Sequence, residues 1–307
     1  MRKVNFNISL SNTKKLILTK LNLNMKNVKL IATLMASLFS FVVLFTACEK
    51  DDVTSATVPD PTTLIPATVD DTKMAEDNMA AEVSYSGVFQ EVNENAETTD
   101  SYRIACPSLS IVATDSTIAV NRYPKTLTVD YGATGCNDKQ GKLIGVFSGR
   151  FRDSLTTVDV TFDQYVHNGY KVEASKYRIT NLGKVSGKHS YRLEVENGVI
   201  TKGTDTSKWA TDRVYTWEEG RDTPLSRLDD VFLVTGNANG TDRTGFTYTT
   251  VVDSALRISN ACKWVESGQL TVTPTGELAR TVNFGNTGCD NKATLIIAGQ
   301  SVEVTMP

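Results

Sequence analysis

The sequence is poor in the residues from which metal and catalytic sites are most often built. It has two histidines and five cysteines among 307 residues, and no two cysteines are spaced Cys-x-x-Cys. A zinc site needs several Cys or His ligands close together, so little material for one is present. The motifs of serine hydrolases, zinc proteases, P-loop proteins and dinucleotide-binding proteins are also missing. We therefore expect no cofactor, no metal site and no enzymatic activity.

The chain also lacks an apolar run of comfortable transmembrane length. Its main uncharged apolar stretch, Leu30 to Phe45, covers 16 residues, whereas a membrane-spanning helix needs about 20. Lys26 and Lys29 precede it, and a positive flank before a short apolar core is typical of a secretory signal peptide. Because Met25 begins a complete signal segment, we interpret residues 1–24 as a misassigned start and residues 25–47 as the signal peptide.

The signal segment ends in Phe45-Thr46-Ala47-Cys48, which resembles the bacterial lipobox. In that motif the cysteine is acylated on sulfur, becomes the first residue by cleavage and is acylated again on its amine. The resemblance implies lipidation of Cys48, and more than one acyl chain makes a stable membrane anchor. An ordinary signal peptide with an incidental cysteine and an uncleaved anchor are the alternatives.

Charge is distributed unevenly along the chain. The 47 residues before Cys48 contain seven basic residues and no acidic ones, which leaves 25 basic and 35 acidic residues in the remainder, a net charge of −10. Such a surface argues against nucleic acid as a partner. Residues 48–71 contain three prolines and show no sustained periodicity, so we expect a flexible tether.

One convincing helix follows the tether, from Thr72 to about Ala96. Its apolar residues recur at spacings of three, four and seven, and its acidic residues lie largely elsewhere. Gly87 should weaken the helix by about 1 kcal/mol. We expect an amphipathic helix whose apolar face covers the protein's own sheet, and the alternative is a face that binds a partner.

After Ser101 the hydrophobic pattern changes to a period of two, with many segments rich in Val, Thr, Ile and Tyr. This pattern predicts strands, and short connections predict antiparallel neighbours. Asn168-Gly169 and Asn197-Gly198 are two-residue hairpin signals, and residues 298–301 form a slightly longer one. The expected fold is mainly β, an antiparallel meander or sandwich with one N-terminal amphipathic helix packed on it, over residues 72–307. The segment Tyr170 to Ile179 is expected to be one strand.

An internal repeat links the two ends of this β region. Thr128 to Lys139 matches Thr281 to Lys292, including the Thr-Gly-Cys sequence, within related hairpins near residues 103–150 and 257–306. In each copy one cysteine precedes a strand and the other follows the next strand, so an antiparallel pair places both at the same end. We expect disulfides that join Cys106 to Cys136 and Cys262 to Cys289, with cross-pairing between the copies as the alternative.

Few side chains in the sequence are candidates for chemistry. Asn137-Asp138 and Asp290-Asn291 follow the repeated Gly-Cys pairs and offer oxygen ligands for Ca²⁺ or a sugar hydroxyl, but these residues also favour turns, which we prefer. His167 and His189 lie near predicted turns without a recognisable orienting partner.

Aromatic residues on the predicted strands form a further candidate group, a stacking platform for sugars. We prefer the interpretation that they fill a core or stand in cross-strand pairs. The residues concerned are Trp209, Trp217, Trp264, Tyr215 and Tyr248. Paired carboxylates for glycoside cleavage are not identifiable from the sequence, because their separation in space does not follow from it.

The whole arrangement resembles uncharacterised cell-surface lipoproteins of Bacteroidetes-type bacteria. The lipobox at Cys48 is followed by Glu49-Lys50-Asp51-Asp52, which resembles their surface-export signal, and then by a tether, a helix and a long β region. The resemblance implies a lipid-anchored outer-membrane protein that faces the cell exterior. Our first functional hypothesis is non-catalytic binding of a glycan or an outer-membrane protein. A fimbrial-type structural subunit is the second, and a polysaccharide-acting enzyme is the third.

Overall fold

A computed structural model describes residues 69–96, 102–103, 106–113, 123–223, 226–286 and 288–307. The predicted signal peptide, the predicted lipidation at Cys48 and most of the predicted tether lie outside these residues. The described part of the chain forms one helix and fifteen strands, and all strand pairings in it are antiparallel. The prediction of a mainly β fold with a single helix is therefore confirmed. A helix able to span a membrane is not found in this part of the chain.

The elements follow one another in a simple order, with the helix first. The helix α1 is Val69–Asn95. The strands are β1 Tyr102–Arg103, β2 Ser108–Ala113, β3 Lys125–Cys136, β4 Lys139–Phe147, β5 Thr157–His167, β6 Tyr170–Glu173, β7 Lys176–Val185, β8 Lys188–Lys202, β9 Asp205–Glu219, β10 Val231–Thr241, β11 Thr247–Ser259, β12 Ser267–Pro274, β13 Arg280–Asn283, β14 Lys292–Ile297 and β15 Gln300–Thr305.

All fifteen strands belong to one sheet, in which nearly every strand pairs with its neighbours in sequence. The described residues therefore adopt the meander, and not the sandwich, of the two predicted arrangements. The exception lies at β5, where Val166 and His167 pair with β6 but residues 157–159 pair with β7. The expectation of a single strand from Tyr170 to Ile179 was wrong, because residues 174–175 belong to neither strand and separate β6 from β7.

The sheet surrounds α1, so the expected division of the helix into a buried and a solvent-facing side does not occur. Apolar residues such as Met79 and Phe89 are 0% exposed, but Asn78 and Glu82 on the helix are buried as well, at 0% and 2%. The buried acids are stabilised by partners on β9 and in the loop between β10 and β11. Glu82 pairs with Arg213 on β9, and Asp77 accepts a 2.8 Å hydrogen bond from Nε of Arg243. Buried charges need such partners, so α1 is a central helix with polar contacts on several sides.

Two of the three predicted turns are observed, and the third has another role. Asn168-Gly169 and residues 298–299 connect consecutive strands, whereas Asn197-Gly198 lies inside β8 at an irregularity in its pairing with β9. The hairpin expected at Asn197-Gly198 was therefore wrong. A Cβ atom on Gly198 would lie 2.5 Å from Oη of Tyr85 on the helix. Glycine is needed at this position because the helix side chain approaches the strand backbone closely.

Candidate ligand-binding site

The two copies of the repeat have the same local structure. In the first copy, Oδ1 of Asp130 accepts a 2.8 Å hydrogen bond from the backbone N–H of Gly132. In the second, Oδ1 of Asn283 accepts a 2.8 Å bond from the backbone N–H of Gly285. The two glycines have φ angles of 70° and 74°, in the left-handed region that glycine adopts most readily. The repeat thus preserves a side-chain-capped turn at which each strand ends or bends.

The disulfides join the pairs expected from strand geometry. Cys106 is bonded to Cys136 and Cys262 to Cys289, with Cα–Cα distances of 6.0 and 5.5 Å. Each bond ties the segment that precedes one strand, β2 or β12, to the end of the next strand, β3, or to the loop that follows it, after β13. In the loop-entropy model, a closed loop of this size contributes about 3 to 4 kcal/mol of stability.

The first repeat turn meets the loop that contains Cys262. Nζ of Lys263 lies 3.4 Å from Oδ2 of Asp138, and the carbonyl oxygen of Asp138 accepts a 2.9 Å hydrogen bond from the backbone N–H of Asn168. A cavity of about 540 Å³ lies between these segments. Its lining consists of Thr134, Gly135, Cys136, Asp138, Lys139, Gln140, Val166, Asn168, Gly169, Lys263 and Pro307.

Charges in this cavity are compensated locally. Lys139 forms an ion pair with Glu91 on α1, and Lys263 forms one with Asp138. The remaining polar side chains of the lining are neutral and include the amide of Gln140. Nδ2 of Asn168 is buried and has no hydrogen-bond partner among the described residues. The lining residue Asn168 therefore carries a buried donor without a partner, and the charged side chains of the lining are paired.

The candidate oxygen ligands in the repeat serve as turn residues. Asn137 and Asp138 have φ angles of 52° and 61° and connect β3 to β4 as a two-residue turn. Oδ1 of Asp290 accepts a 3.0 Å hydrogen bond from the backbone N–H of Lys292. Among the described residues, no group of three or more His, Cys, Asp or Glu side chains could hold a metal ion. Asp138 is the member of this set that also lines the cavity.

The two histidines lie in different environments, and neither lines the cavity. His167 is 4% exposed and packs against Gly87 of the helix. Burial lowers its pKa to about 3, with a further contribution from the nearby charge of Lys139. Partial burial also lowers the pKa of His189, and Arg221 and Lys184 act in the same direction. His167 is therefore a neutral packing residue at physiological pH.

Most of the candidate aromatic platform is part of the core. Trp209, Trp217, Tyr215 and Tyr248 are each at most 3% exposed, so they cannot offer a ring face to a sugar. Trp264 is only partly buried, and its Nε1 donates a 2.8 Å hydrogen bond to the carbonyl oxygen of Pro307. It therefore lies at the edge of the cavity, next to Lys263, whose Nζ is 4.7 Å from the centroid of its ring.

Sequence reasoning missed Lys139, Gln140, Asn168 and Lys263 as site residues. All four lie near a cysteine of the repeat or a predicted turn, and this position in the sequence was the available indication. No local sequence pattern indicated that residues 138 and 263 would lie close together.

Comparison with known proteins adds no assignment. No protein-family model matches the sequence, and no match was found among curated proteins or among solved structures. A functional proposal therefore depends on the geometry of the chain itself.

Proposed function

We propose that the protein is a non-catalytic binding protein that holds a neutral, polar ligand such as a glycan in the cavity beside Asp138. The supporting observation is a cavity of about 540 Å³ with polar side chains whose charges are already paired. Its volume lies within the range of about 300 to 1,000 Å³ that is usual for ligand pockets.

The chemistry of the lining favours a neutral ligand. Side-chain amides both donate and accept hydrogen bonds, as sugar hydroxyls do, and Gln140 and Asn168 supply two amides. An anionic ligand would have to compete with Glu91 for Lys139 and with Asp138 for Lys263. Nδ2 of Asn168 is buried without a partner among the described residues, so a ligand oxygen that reaches it would remove a cost of about 1 to 3 kcal/mol.

The walls of the cavity are held in place by covalent bonds. Cys136 lines the cavity directly, and Cys262 precedes the lining residue Lys263. Because both cysteines are in disulfides, little chain ordering is needed when a ligand binds, and such preorganisation favours affinity. A rigid polar cavity suits recognition of a ligand without chemical conversion.

The proposal includes attachment to the outer membrane, facing the cell exterior, through acyl chains on Cys48. Its support is the sequence from Phe45 to Asp52, which lies outside the described residues. Metabolic labelling with a fatty-acid analogue should label the parent chain, and Cys48→Ser should abolish the label. Labelling that persists in Cys48→Ser would refute the anchor without affecting the binding proposal.

Binding is tested by titrating the purified full chain with neutral and uronic-acid oligosaccharides of equal length. We expect binding of a neutral oligosaccharide and a loss of about tenfold or more in Asn168→Ala, since one buried hydrogen bond is removed. Asn197→Ala is the matched control, because Asn197 also has a positive φ, precedes a glycine and lies outside this cavity. An equal loss in both variants, tighter binding of the acidic sugars or no binding at all would contradict the proposal.

A further inference from the structure

A second cavity lies at the beginning of α1, on residues that the proposed glycan site does not use. It has a volume of about 580 Å³. Its lining consists of Asp70, Asp71, Met74, Phe246, Gly276, Glu277, Leu278, Arg280 and Ile297. We call this cavity the α1 groove. Four of its side chains are large and apolar, so its chemistry differs from that of the polar cavity.

Two of these apolar side chains are open to solvent. Phe246 precedes β11 and is 49% exposed, and Leu278 lies between β12 and β13 and is 56% exposed. Met74 and Ile297 are buried, at 3% and 4%. The exposed pair therefore borders a depression with buried apolar residues. Apolar surface arranged around a concave site often marks a place where another molecule binds.

The polar residues of the groove carry an excess of negative charge. Arg280 is its one basic residue, and it pairs with both Asp71 and Glu277. Asp70 is the third acid, and its side chain is 62% exposed. Lys73 lies 3.3 Å from Asp70, but both groups are at the surface, where such pairs contribute little. A ligand that enters the groove therefore meets apolar walls and an acidic border.

We infer that the α1 groove docks an apolar side chain carried on a basic segment of a partner protein. The apolar side chain would contact Phe246 and Leu278, and the basic neighbours would lie beside Asp70 and Glu277. A second copy of this chain fits less well, because it would bring the same acidic border to the contact. Anionic lipid headgroups are disfavoured for the same electrostatic reason.

The test uses two synthetic peptides of equal length with the same Leu- and Phe-containing centre, one flanked by lysines and the other by glutamates. Each is titrated into the purified full chain and followed by fluorescence anisotropy. We expect the lysine-flanked peptide to bind more tightly at low salt, and added salt to reduce the difference. Asp70→Asn should weaken the lysine-flanked peptide and leave the glutamate-flanked peptide unaffected or slightly tighter.

Leu278→Ser should reduce the affinity for the lysine-flanked peptide by about tenfold, since a leucine contact is lost. Leu228→Ser is the matched control, because Leu228 is 66% exposed and lies outside the groove. The inference is overturned if neither peptide binds, if both peptides bind equally at low salt, or if Leu228→Ser has the same effect. Self-association that Leu278→Ser abolishes, without peptide binding, would assign the groove to a second copy instead. Titration of the same variants with oligosaccharides shows whether the proposed glycan site is also affected, so failure of one proposal is distinguishable from failure of the other.

Discussion

Replacement of Arg213 tests whether the polar contacts of the central helix hold it in the sheet. Arg213 is 0% exposed, and Nη2 donates to Oε1 of Glu82 and lies 3.4 Å from Oγ1 of Thr250. Its Nε and Nη1 atoms are buried without hydrogen-bond partners among the described residues. Arg213→Met keeps much of the side-chain length but leaves the Glu82 carboxylate buried without its counterion.

The expected loss is large, because an uncompensated buried charge typically costs about 3 to 5 kcal/mol. Burial already raises the pKa of Glu82, and Arg213 partly offsets this effect. In Arg213→Met the pKa should rise further, so the folded protein retains a proton that the unfolded chain releases. The stability of the variant should then fall as pH rises from about 4.5 toward the folded-state pKa, by up to about 1.4 kcal/mol per pH unit.

Urea unfolding of the parent and Arg213→Met at pH 5 and pH 8 measures both effects. The midpoint difference should be larger at pH 8, with an unchanged dependence of free energy on urea. The double variant Glu82→Leu/Arg213→Met removes both charges and should recover most of the loss, because apolar replacement of a buried pair is often neutral or stabilising. A single-variant loss below about 1 kcal/mol, or a double variant no more stable than the single one, would refute the reasoning.

Two further predictions concern the contact between the helix and His167. Gly87→Ala should destabilise the protein by about 1 to 3 kcal/mol in urea unfolding, although alanine favours helices, because the added Cβ would clash with the imidazole. A smaller residue at position 167 should restore the stability. A stabilised Gly87→Ala variant would contradict the contact. His167→Gln should remove a pH dependence of the stability. The pKa of His167 in the folded protein is about 3, so the parent loses stability as pH falls from about 6.5 toward 3, by up to about 1.4 kcal/mol per pH unit. Parallel stability profiles of parent and His167→Gln over that range would show that His167 is not the group responsible.

The strands and disulfides were predictable because they depend on local or nearly local information. Alternating side chains indicate strands, and short connections make consecutive strands antiparallel. Cysteines placed around two consecutive strands then lie close together, as the bonds Cys106–Cys136 and Cys262–Cys289 show. A sequence pattern also located Asn197-Gly198 as an unusual backbone site, but β8 continues through it with an irregular pairing to β9, and Oη of Tyr85 lies close to Gly198.

The central position of the helix was not predictable from periodicity. An acid on a helix normally indicates a solvent-facing position, but Glu82 and Asp77 have partners on β9 and in the β10–β11 loop, at sequence separations of 131 and 166 residues. The candidate site was hidden for the same reason, since Asp138 and Lys263 are 125 residues apart in sequence. Such contacts arise when the sheet curls around the helix, and no local pattern encodes them.

The two cavities lie toward opposite ends of the helix. The α1 groove includes Met74, and the polar cavity includes Lys139, the partner of Glu91. Glu91 follows Met74 by seventeen positions along the helix, a rise of about 25 Å, so a partner in the groove would leave the polar cavity open.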